Sequence, residues 1–372
     1  MKLRMTKQEI WEWYNKNPWL TGCNYVPSKS PELSIWQEDT YQEILPTVQH
    51  ELDIIQKLGM NTVRMGIPFN IWYHEKDKFF DRMDSILSLL DHHGITLMPI
   101  LFNDCVNFGR PEDISVPYPK GKHNWDIGYH GGHARNQFSG IPEISKDPNL
   151  SKKDRFFSDK GWIYWDEEEY RPILLEYTHQ IISRFRNDKR IIIWDIWNEP
   201  GNCNRGSLSV PYLKEAFQAA REEDPIQPLT AGVWEYPEHY GEDNSIDVDE
   251  IGRLAINLSD IVSFHCYSRF EKVKKVVNAL EREGRPMLNT EWLNRILGNR
   301  IEDQLPFYRN KRIGSYLWGC VAGYSQHYLP WGNLLKDKSL DFTLWQHDLF
   351  RGDGKPYDPD EIKMIKDIDA TR

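Results

Sequence analysis

The sequence predicts an α/β fold, a single-domain (β/α)8 TIM barrel, and two observations support that prediction. Short runs rich in β-branched residues alternate with stretches whose apolar residues recur at helical spacing, which is typical of βα units around a parallel sheet. The chain has 372 residues and neither a low-complexity linker nor an internal repeat, which suits one barrel with long loops. We therefore expect one domain over residues 1–372, with the barrel starting near residue 15.

The first half of the chain contains four predicted strands. They cover residues 20–25, 62–65, 96–102 and 191–196, and predicted helices cover 46–58, 80–93 and 170–185. Gly59 and Gly94 follow the first two helices, where glycine commonly ends a helix. A long polar and aromatic segment, about 103–165, follows the third strand, and a compact domain keeps a loop of this length for a functional reason.

The second half repeats the pattern. Its predicted strands cover 228–233, 261–265, 287–290 and 314–318, and its predicted helices cover 212–221, 248–258, 270–280 and 302–309. A second long loop, about 321–357, precedes a final helix that opens at Asp358-Pro359, a capping residue followed by proline in the first turn. A doubly wound sheet is the rival architecture. It would favour a glycine-rich phosphate turn after the first strand, and Gly22-Cys23-Asn24-Tyr25 is not one.

The composition argues against several classes of function. The formal net charge is −10, which disfavours a nucleic acid or an anionic membrane as partner. No segment has the apolar length of a membrane span, and Lys7, Glu9 and Glu12 interrupt the N-terminal region where a secretory signal would be apolar. The five widely spaced cysteines contain no Cys-x-x-Cys pair, so we expect a cytoplasmic enzyme without a disulfide framework. The oligomeric state is not readable from the sequence.

Aromatic residues are abundant, at 13% of the chain with fifteen tryptophans. Packing in the core accounts for aromatic residues in general. However, many of these lie among Gly, Pro, Asn and Asp in predicted loops, where packing explains them less well. Flat apolar faces with a polar edge are the surfaces on which sugar rings stack, which favours a carbohydrate ligand.

Two glutamates follow predicted strands on opposite sides of the barrel. The working residues of such barrels lie at the carboxyl ends of the strands. The fourth strand ends in Trp197-Asn198-Glu199-Pro200, and the seventh ends in Glu291-Trp292. Cleavage of a glycosidic bond with retention needs two carboxyl groups about 5–5.5 Å apart, one protonated and one ionised. We therefore predict Glu199 as general acid/base and Glu291 as nucleophile.

The two glutamates need different surroundings. Glu199 has to keep its proton near neutral pH, so apolar walls should surround it. Glu291 has to stay ionised, so a cation and a hydroxyl donor should lie beside it. Arg64 after the second strand and Tyr267 after the sixth are placed to supply them.

The motifs resemble those of a known group of enzymes. The segment from Ile193 to Pro200, which ends in Asn-Glu-Pro, resembles the strand-four signature of glycoside hydrolase clan A, and Asn289-Thr290-Glu291-Trp292 is similar to its nucleophile motif. Arg64, His265-x-Tyr267 and Trp318 match the pattern of glycoside hydrolase family five and its relatives, which include cellulase-like and mannanase-like retaining glycosidases. The resemblance implies double displacement with retention, preferably on β-linked substrates. It also implies that Asn198 holds a sugar hydroxyl and that Trp318 lies beneath the sugar ring.

Further side chains are candidates for contact with substrate, and each has a structural alternative. Asp104 follows the third strand but equally fits a polar residue at the start of a loop. Trp125 and Trp234 lie in predicted loops and are candidate sugar contacts that core packing would also explain. The loop with His123, Asp126, His130 and His133 contains residue types that bind metals. However, the glycines between His130 and His133 indicate a flexible loop, in which these histidines are not a helical pair of ligands. We expect neither a metal nor a cofactor.

Three alternative functions remain open. A non-catalytic glycan-binding barrel would keep the aromatic faces but needs no pair of glutamates. A transglycosylase would use the same two glutamates with a different acceptor. A metal-dependent barrel hydrolase needs a His-x-His pair after the first strand, where this chain has Asn24-Tyr25-Val26. The sugar, its linkage and exo or endo action are not readable from the sequence.

Overall fold

The computed structural model describes residues 3–29, 35–105, 163–331 and 333–369. The strands in these ranges are Thr21–Asn24 (β1), Thr62–Gly66 (β2), Thr96–Asn103 (β3), Trp194–Asn198 (β4), Leu229–Ala231 (β5), Val262–His265 (β6), Met287–Trp292 (β7) and Gly314–Trp318 (β8). The α-helices are Lys7–Lys16 (α1), Glu38–Lys57 (α2), Phe69–His74 (α3), Lys76–His92 (α4), Arg171–Phe185 (α5), Val210–Glu222 (α6), Glu250–Leu258 (α7), Phe270–Leu280 (α8), Ile301–Lys311 (α9) and Pro359–Asp369 (α10).

The strands form one parallel sheet that curls into a nearly closed barrel. Their order is β5-β4-β3-β2-β1-β8-β7-β6, and every neighbouring pair is parallel. Between the end strands β5 and β6, a parallel bridge from Val233 to Phe264 closes the ring. The main apolar core lies between the strands and the surrounding helices. The predicted (β/α)8 TIM barrel is confirmed.

Several predicted boundaries differ from the structure, as those of two elements illustrate. Helix α2 begins at Glu38, before the predicted start at Pro46, because its first turns bury Tyr41 and Ile44 in the core. Strand β4 begins at Trp194, because the preceding Ile191 makes only an isolated bridge to Leu97. The short helix α3 was not predicted either.

Helix α1 is a further element that the apolar pattern did not predict. Thr6 and Glu9 form a reciprocal capping box that fixes its first turn. Ile10 and Tyr14 are buried against side chains from the lower ends of the strands, including Leu20 and Tyr316. The helix therefore covers the amino-terminal end of the barrel, opposite the predicted site. Among the described helices, none has both the length and the apolar character that crossing a bilayer requires.

Candidate active site

The register of the barrel brings polar side chains to one level at the carboxyl ends of the strands. Asn24 at the end of β1 is aligned with Arg64 on β2 and with Trp318 on β8. On the other strands, His265 of β6 is aligned with Glu291 of β7. Because all the strands are parallel, these residues meet at the same rim of the barrel. The rim is the end at which such barrels bind ligands.

Arg64 occupies the centre of this level. Only 1% of its surface is exposed. Its Nη1 donates to Oε1 of Glu291 at 2.8 Å and to Oδ1 of Asn24 at 2.9 Å, and its Nε donates to Oδ2 of Asp195 at 2.8 Å. Its Nη2 donates to Oδ1 of Asn198 at 2.6 Å. The two carboxylates compensate the buried guanidinium charge, and the planar donor geometry fixes both of them.

Glu291 has a cation and a phenol beside it, as the sequence predicted for the nucleophile. Besides the Arg64 contact, Oε2 of Glu291 accepts a hydrogen bond of 2.8 Å from the Tyr267 hydroxyl. Burial raises the pKa of the Glu291 carboxyl, while the positive charge of Arg64 acts against this rise. The two donors favour the ionised form of Glu291, which is the form that can attack a carbon atom.

Glu199 lies in a different setting. It follows β4 with a φ of 45°, in the left-handed region, and is 7% exposed. Its hydrogen-bond partners include Asn202, whose Nδ2 donates to Oε2 at 2.5 Å, and His265, whose Nδ1 is 2.8 Å from Oε1. Burial raises the pKa of the Glu199 carboxyl, and the amide and imidazole next to it add no direct ion pair. This environment favours the protonated form of Glu199 more than water would.

The two carboxyl groups face each other across a short gap. Nδ1 of His265 is 2.8 Å from Oε1 of Glu199 and 3.5 Å from Oε2 of Glu291. One oxygen from each glutamate and one ring nitrogen all lie within 4.8 Å of one another. Retaining glycosidases hold their carboxyl groups about 5–5.5 Å apart, whereas inverting enzymes leave about 6.5–9.5 Å for a water molecule. The observed distance between the two oxygens is shorter than the separation of an inverting pair.

His265 is a neutral member of this group. Burial lowers the pKa of His265 to about 4, so the ring carries no charge near neutral pH. Its Nε2 lies over Gly232, where an added Cβ atom would come within 2.8 Å of that nitrogen. Glycine at position 232 therefore leaves the space that the imidazole occupies between the two glutamates.

The aromatic candidates lie around these residues. Trp318 is partly exposed at the end of β8, and its ring centroid is 5.4 Å from that of His327. Trp234 is also partly exposed, and its Nε1 donates to the carbonyl oxygen of Pro200 at 3.2 Å. Their contact with a sugar stays a prediction. Trp125 and the histidine loop 123–133 lie outside the described residues.

Asp104 lies deeper than a side chain that contacts substrate. It is 1% exposed, and its Oδ2 accepts hydrogen bonds from the Gly201 amide and the Ser209 hydroxyl. The structure therefore places Asp104 beneath the loop that carries Glu199, where its contacts are with the protein.

The same glutamates are the residues that could hold a metal ion. In the described ranges, Glu199, His265 and Glu291 each offer one atom that could bind a metal ion. These three atoms lie within 4.8 Å of one another. Their hydrogen bonds with one another, with Arg64 and with Tyr267 already give them partners without an ion. The arrangement therefore suits acid/base chemistry as it stands.

Several residues of the site were not predicted. Asn24 and Asp195 bind Arg64, Asn202 binds Glu199, and Asn103 accepts a hydrogen bond of 3.0 Å from Nδ2 of Asn198. Asp195 lies within the strand-four segment, and Asn24 is the last but one residue of the predicted first strand, so position along the chain was an available signal. No pattern in the sequence indicated which atom each of them binds.

Comparisons with known proteins concern the family and the fold of the chain. The family model described as Cellulase (glycosyl hydrolase family 5) matches residues 21–348. A search of curated protein sequences found no match. Solved structures share the fold at low identity, as three examples illustrate. A β-1,4-mannanase from the sea hare Aplysia kurodai has a TM-score of 0.51 and 16% identity, with 94% of this chain and 92% of that chain covered.

The other two examples are similar. An exo-β-1,4-mannosidase from Opitutaceae bacterium strain TAV5 has a TM-score of 0.55 and 16% identity, covering 95% of this chain and 59% of that chain. An endo-1,4-β-D-mannanase from Thermotoga petrophila RKU-1 has a TM-score of 0.54 and 14% identity, covering 95% and 99%. At these identities the likeness concerns the fold alone.

Proposed function

The chain belongs to glycosyl hydrolase family 5, and from this premise we propose that it is a retaining glycosidase that cleaves β-linked glycosides by double displacement. The observation that carries the proposal is the spacing of the two glutamates, whose nearest ligand oxygens lie within 4.8 Å of each other. This spacing leaves no room for a water molecule between a carboxylate and the opposite face of a sugar ring, as inversion would require.

In the first step of the proposed reaction, an oxygen of Glu291 attacks the anomeric carbon. The bond from that carbon to the leaving oxygen breaks, and Glu199 transfers its proton to this oxygen. The product of the step is a glycosyl ester on Glu291. Arg64 and Tyr267 hold the Glu291 carboxylate in place, so its lone pair is directed without a further change of structure.

In the second step, Glu199 is a carboxylate and acts as a base. It takes a proton from a water molecule, the water oxygen attacks the anomeric carbon, and the bond to Glu291 breaks. The sugar leaves with its original configuration after two inversions. Glu199 is protonated again at the end, so both glutamates return to their starting states.

Asn198 and Trp318 are the proposed substrate contacts nearest to the reacting carbon. The Asn198 amide is already fixed by Arg64 and Asn103, which leaves it rigid beside Glu199. Trp318 offers a partly exposed ring on the neighbouring side of the rim. We propose that a sugar ring stacks on Trp318 while Asn198 binds a hydroxyl next to the anomeric carbon.

The proposed substrates are short β-1,4-linked oligosaccharides or small β-glycosides. The similar structures are described as β-1,4-mannanases and an exo-β-1,4-mannosidase, which makes β-mannosides and β-glucosides the first sugars to test. All five cysteines lie in the described ranges and none of them forms a disulfide, which supports the cytoplasmic location that we also propose.

A mechanism-based inactivator tests this function. The protein is incubated with 2-deoxy-2-fluoro-β-glycosides of the manno and gluco series, and mass spectrometry locates the adduct. We expect a covalent sugar on the peptide that contains Glu291, and none in the Glu291→Gln variant. An adduct on another residue, or inversion in the first product seen by NMR, would refute the proposal. Binding of oligosaccharides without turnover would instead favour a non-catalytic glycan-binding barrel, and new glycosides formed with added acceptors would favour a transglycosylase.

A further inference from the structure

The loop that carries the proposed acid/base has an unusual backbone. Between residues 199 and 206, five positions have φ values in the left-handed region. They are Glu199 (45°), Gly201 (88°), Cys203 (53°), Asn204 (60°) and Gly206 (50°). Three of the five are not glycine, and residues with a side chain rarely adopt this conformation. Such a backbone persists only where its surroundings hold it.

Asp104 makes contacts on both sides of Glu199. Its backbone amide donates to the carbonyl oxygen of Asn198 at 3.2 Å, one residue before Glu199. Its Oδ2 accepts a hydrogen bond of 2.7 Å from the Gly201 amide, two residues after Glu199. The same oxygen accepts from the Ser209 hydroxyl at 2.6 Å. One residue at the end of β3 therefore holds both ends of the turn that carries Glu199.

A buried cation completes the network. Nε of Arg205 lies 3.5 Å from Oδ1 of Asp104 and donates to the Ser209 hydroxyl at 2.9 Å. The two terminal nitrogens of Arg205 each donate to one oxygen of Asp166 at 2.8 Å. Asp104 is 1% exposed, Arg205 3% and Ser209 0%. The bidentate pairing with Asp166, which is partly exposed, fixes the guanidinium of the buried Arg205 in one geometry.

The burial of Asp104 also argues against direct contact between its carboxyl group and a substrate. Burial raises the pKa of Asp104 to about 6, against the opposing influence of Arg205 and Ser209. An acidic group in this environment is costly to ionise. Its carboxylate oxygens contact the Gly201 amide, the Ser209 hydroxyl and Arg205.

We propose that Asp104 is a positioning residue for proton transfer, which places the Glu199 carboxyl beside the leaving oxygen by holding the Asn198 carbonyl and the Gly201 amide. This inference rests on the function proposed above. Because proton transfer needs its partners within hydrogen-bond reach, a displacement of about 1 Å in the Glu199 loop is enough to lower the rate on the order of 100-fold.

The test compares two substrates with the same sugar and different leaving groups. A 2,4-dinitrophenyl glycoside leaves without help from an acid, whereas a phenyl glycoside needs the proton of Glu199. In Asp104→Ala we expect kcat/KM, which reports on the first step, to fall by about 100-fold for the phenyl glycoside and by less than about tenfold for the dinitrophenyl glycoside. Asp104→Asn keeps an acceptor for the Gly201 amide, so we expect it to restore part of the lost activity.

Asp260 provides the matched control. It is fully buried, accepts hydrogen bonds of 2.8 Å from the amides of Met5 and Leu229, and pairs with Arg221 at 2.9 Å. It precedes β6 at the opposite end of the barrel. We expect Asp260→Asn to lower the melting temperature without changing the ratio of the two kcat/KM values. A purely structural change would lower kcat/KM for both substrates by the same factor. If Asp104→Ala and Asp104→Asn do this, the proposal is overturned.

A second measurement keeps the proposal separate from the proposed function. Amide hydrogen exchange at Gly201 reports directly on the bond to Asp104. We expect faster exchange at this amide in Asp104→Ala than in Asp260→Asn, even if the wild-type protein hydrolyses none of the glycosides. Equal exchange in the two variants would overturn the inference. Absence of turnover by the wild type would overturn only the function on which it rests.

Discussion

Nη1 of Arg64 lies 2.8 Å from Oε1 of Glu291, in a buried ion pair between β2 and β7. The same guanidinium binds Asp195 and Asn198 on β4, the strand that leads to Glu199. Arg64 therefore connects the strand of the proposed nucleophile with the strand of the proposed acid. Its positive charge acts to lower the pKa of both glutamates, and Glu291 is the one that it contacts directly.

The Arg64–Glu291 pair predicts a pH dependence of activity. A cation in contact with a carboxylate lowers its pKa by about one to three units. In Arg64→Gln, the pKa of Glu291 should therefore rise by about that amount. Because Glu291 works only when ionised, the acidic limb of kcat/KM against pH should move to higher pH by the same interval. Arg64→Lys keeps the charge and should shift less.

Arg221 gives a control for the loss of a buried arginine. Arg221→Gln removes the partner of Asp260, away from the rim, and should leave the pH profile unchanged. If Arg64→Gln lowered the rate without moving its acidic limb, the assignment of Arg64 as the charge that ionises Glu291 would be wrong.

The effect of removing the proposed acid/base, Glu199, should depend on the leaving group of the substrate. In Glu199→Ala we expect kcat/KM for a phenyl glycoside to fall by about 10²- to 10⁴-fold. A dinitrophenyl glycoside should still form the glycosyl ester, and added azide should speed its turnover by attacking the ester directly. The product should then be a β-glycosyl azide, identified by NMR. No azide product would count against the role of Glu199.

The basic side of the pH profile should follow Glu199. Burial raises the pKa of Glu199, and His265 is neutral above about pH 4 because burial lowers its own pKa to about 4. Activity should therefore fall as the pH rises through the pKa of Glu199, when its proton is lost. In Glu199→Gln this limb should vanish for a dinitrophenyl substrate. A limb that survives this change would point to a different acid.

The hydroxyl of Tyr267 should contribute to the rate through Glu291. Hydrogen bonds to charged groups contribute about 1.5–3 kcal/mol, which corresponds to a loss on the order of 10- to 100-fold in kcat for Tyr267→Phe. Tyr14→Phe is the control, because its buried hydroxyl binds the Arg312 carbonyl at the other end of the barrel. Equal kinetic effects of the two substitutions would contradict the assignment.

Gly232 should be intolerant of a side chain because of His265. A Cβ atom at this position would lie 2.8 Å from Nε2 of the imidazole, so Gly232→Ala should displace the ring and lower kcat. If the contact with His265 is the cause, Gly232→Ala should add little to the loss already caused by His265→Ala. The double-mutant cycle measures this coupling directly. Additive losses would show that Gly232 acts through another neighbour.

Activity should be independent of divalent metal. Glu199 and Glu291 could contribute to an ion site, but each already has a hydrogen-bonding partner that suits acid/base chemistry. We expect full activity after dialysis against EDTA, and no stimulation when Zn²⁺ or Mn²⁺ is added back. Loss of activity in EDTA with recovery on addition of one metal would contradict the prediction.

Periodicity was a reliable guide where one face of an element packs in the core. The predicted helix 270–280 and the predicted strand 314–318 have the bounds that the structure shows. It failed for α1, where Trp11 and Trp13 lie among charged residues and only Ile10 and Tyr14 are buried. There the capping box of Thr6 and Glu9 was the better signal. The role of the long segment 103–165 stays a prediction.

The sequence by itself determined the eightfold alternation, the glutamates at the ends of β4 and β7, and the family resemblance. These features depend on local spacing and on short motifs. Only the tertiary structure decided that the carboxyl groups lie within 4.8 Å, that Arg64 bridges Asp195 and Glu291, and that Asp104 lies beneath Glu199. The physical reason is that barrel closure sets which distant side chains meet, and burial then sets their protonation. The spacing of residues along one strand encodes neither which distant side chains meet nor how burial changes their protonation.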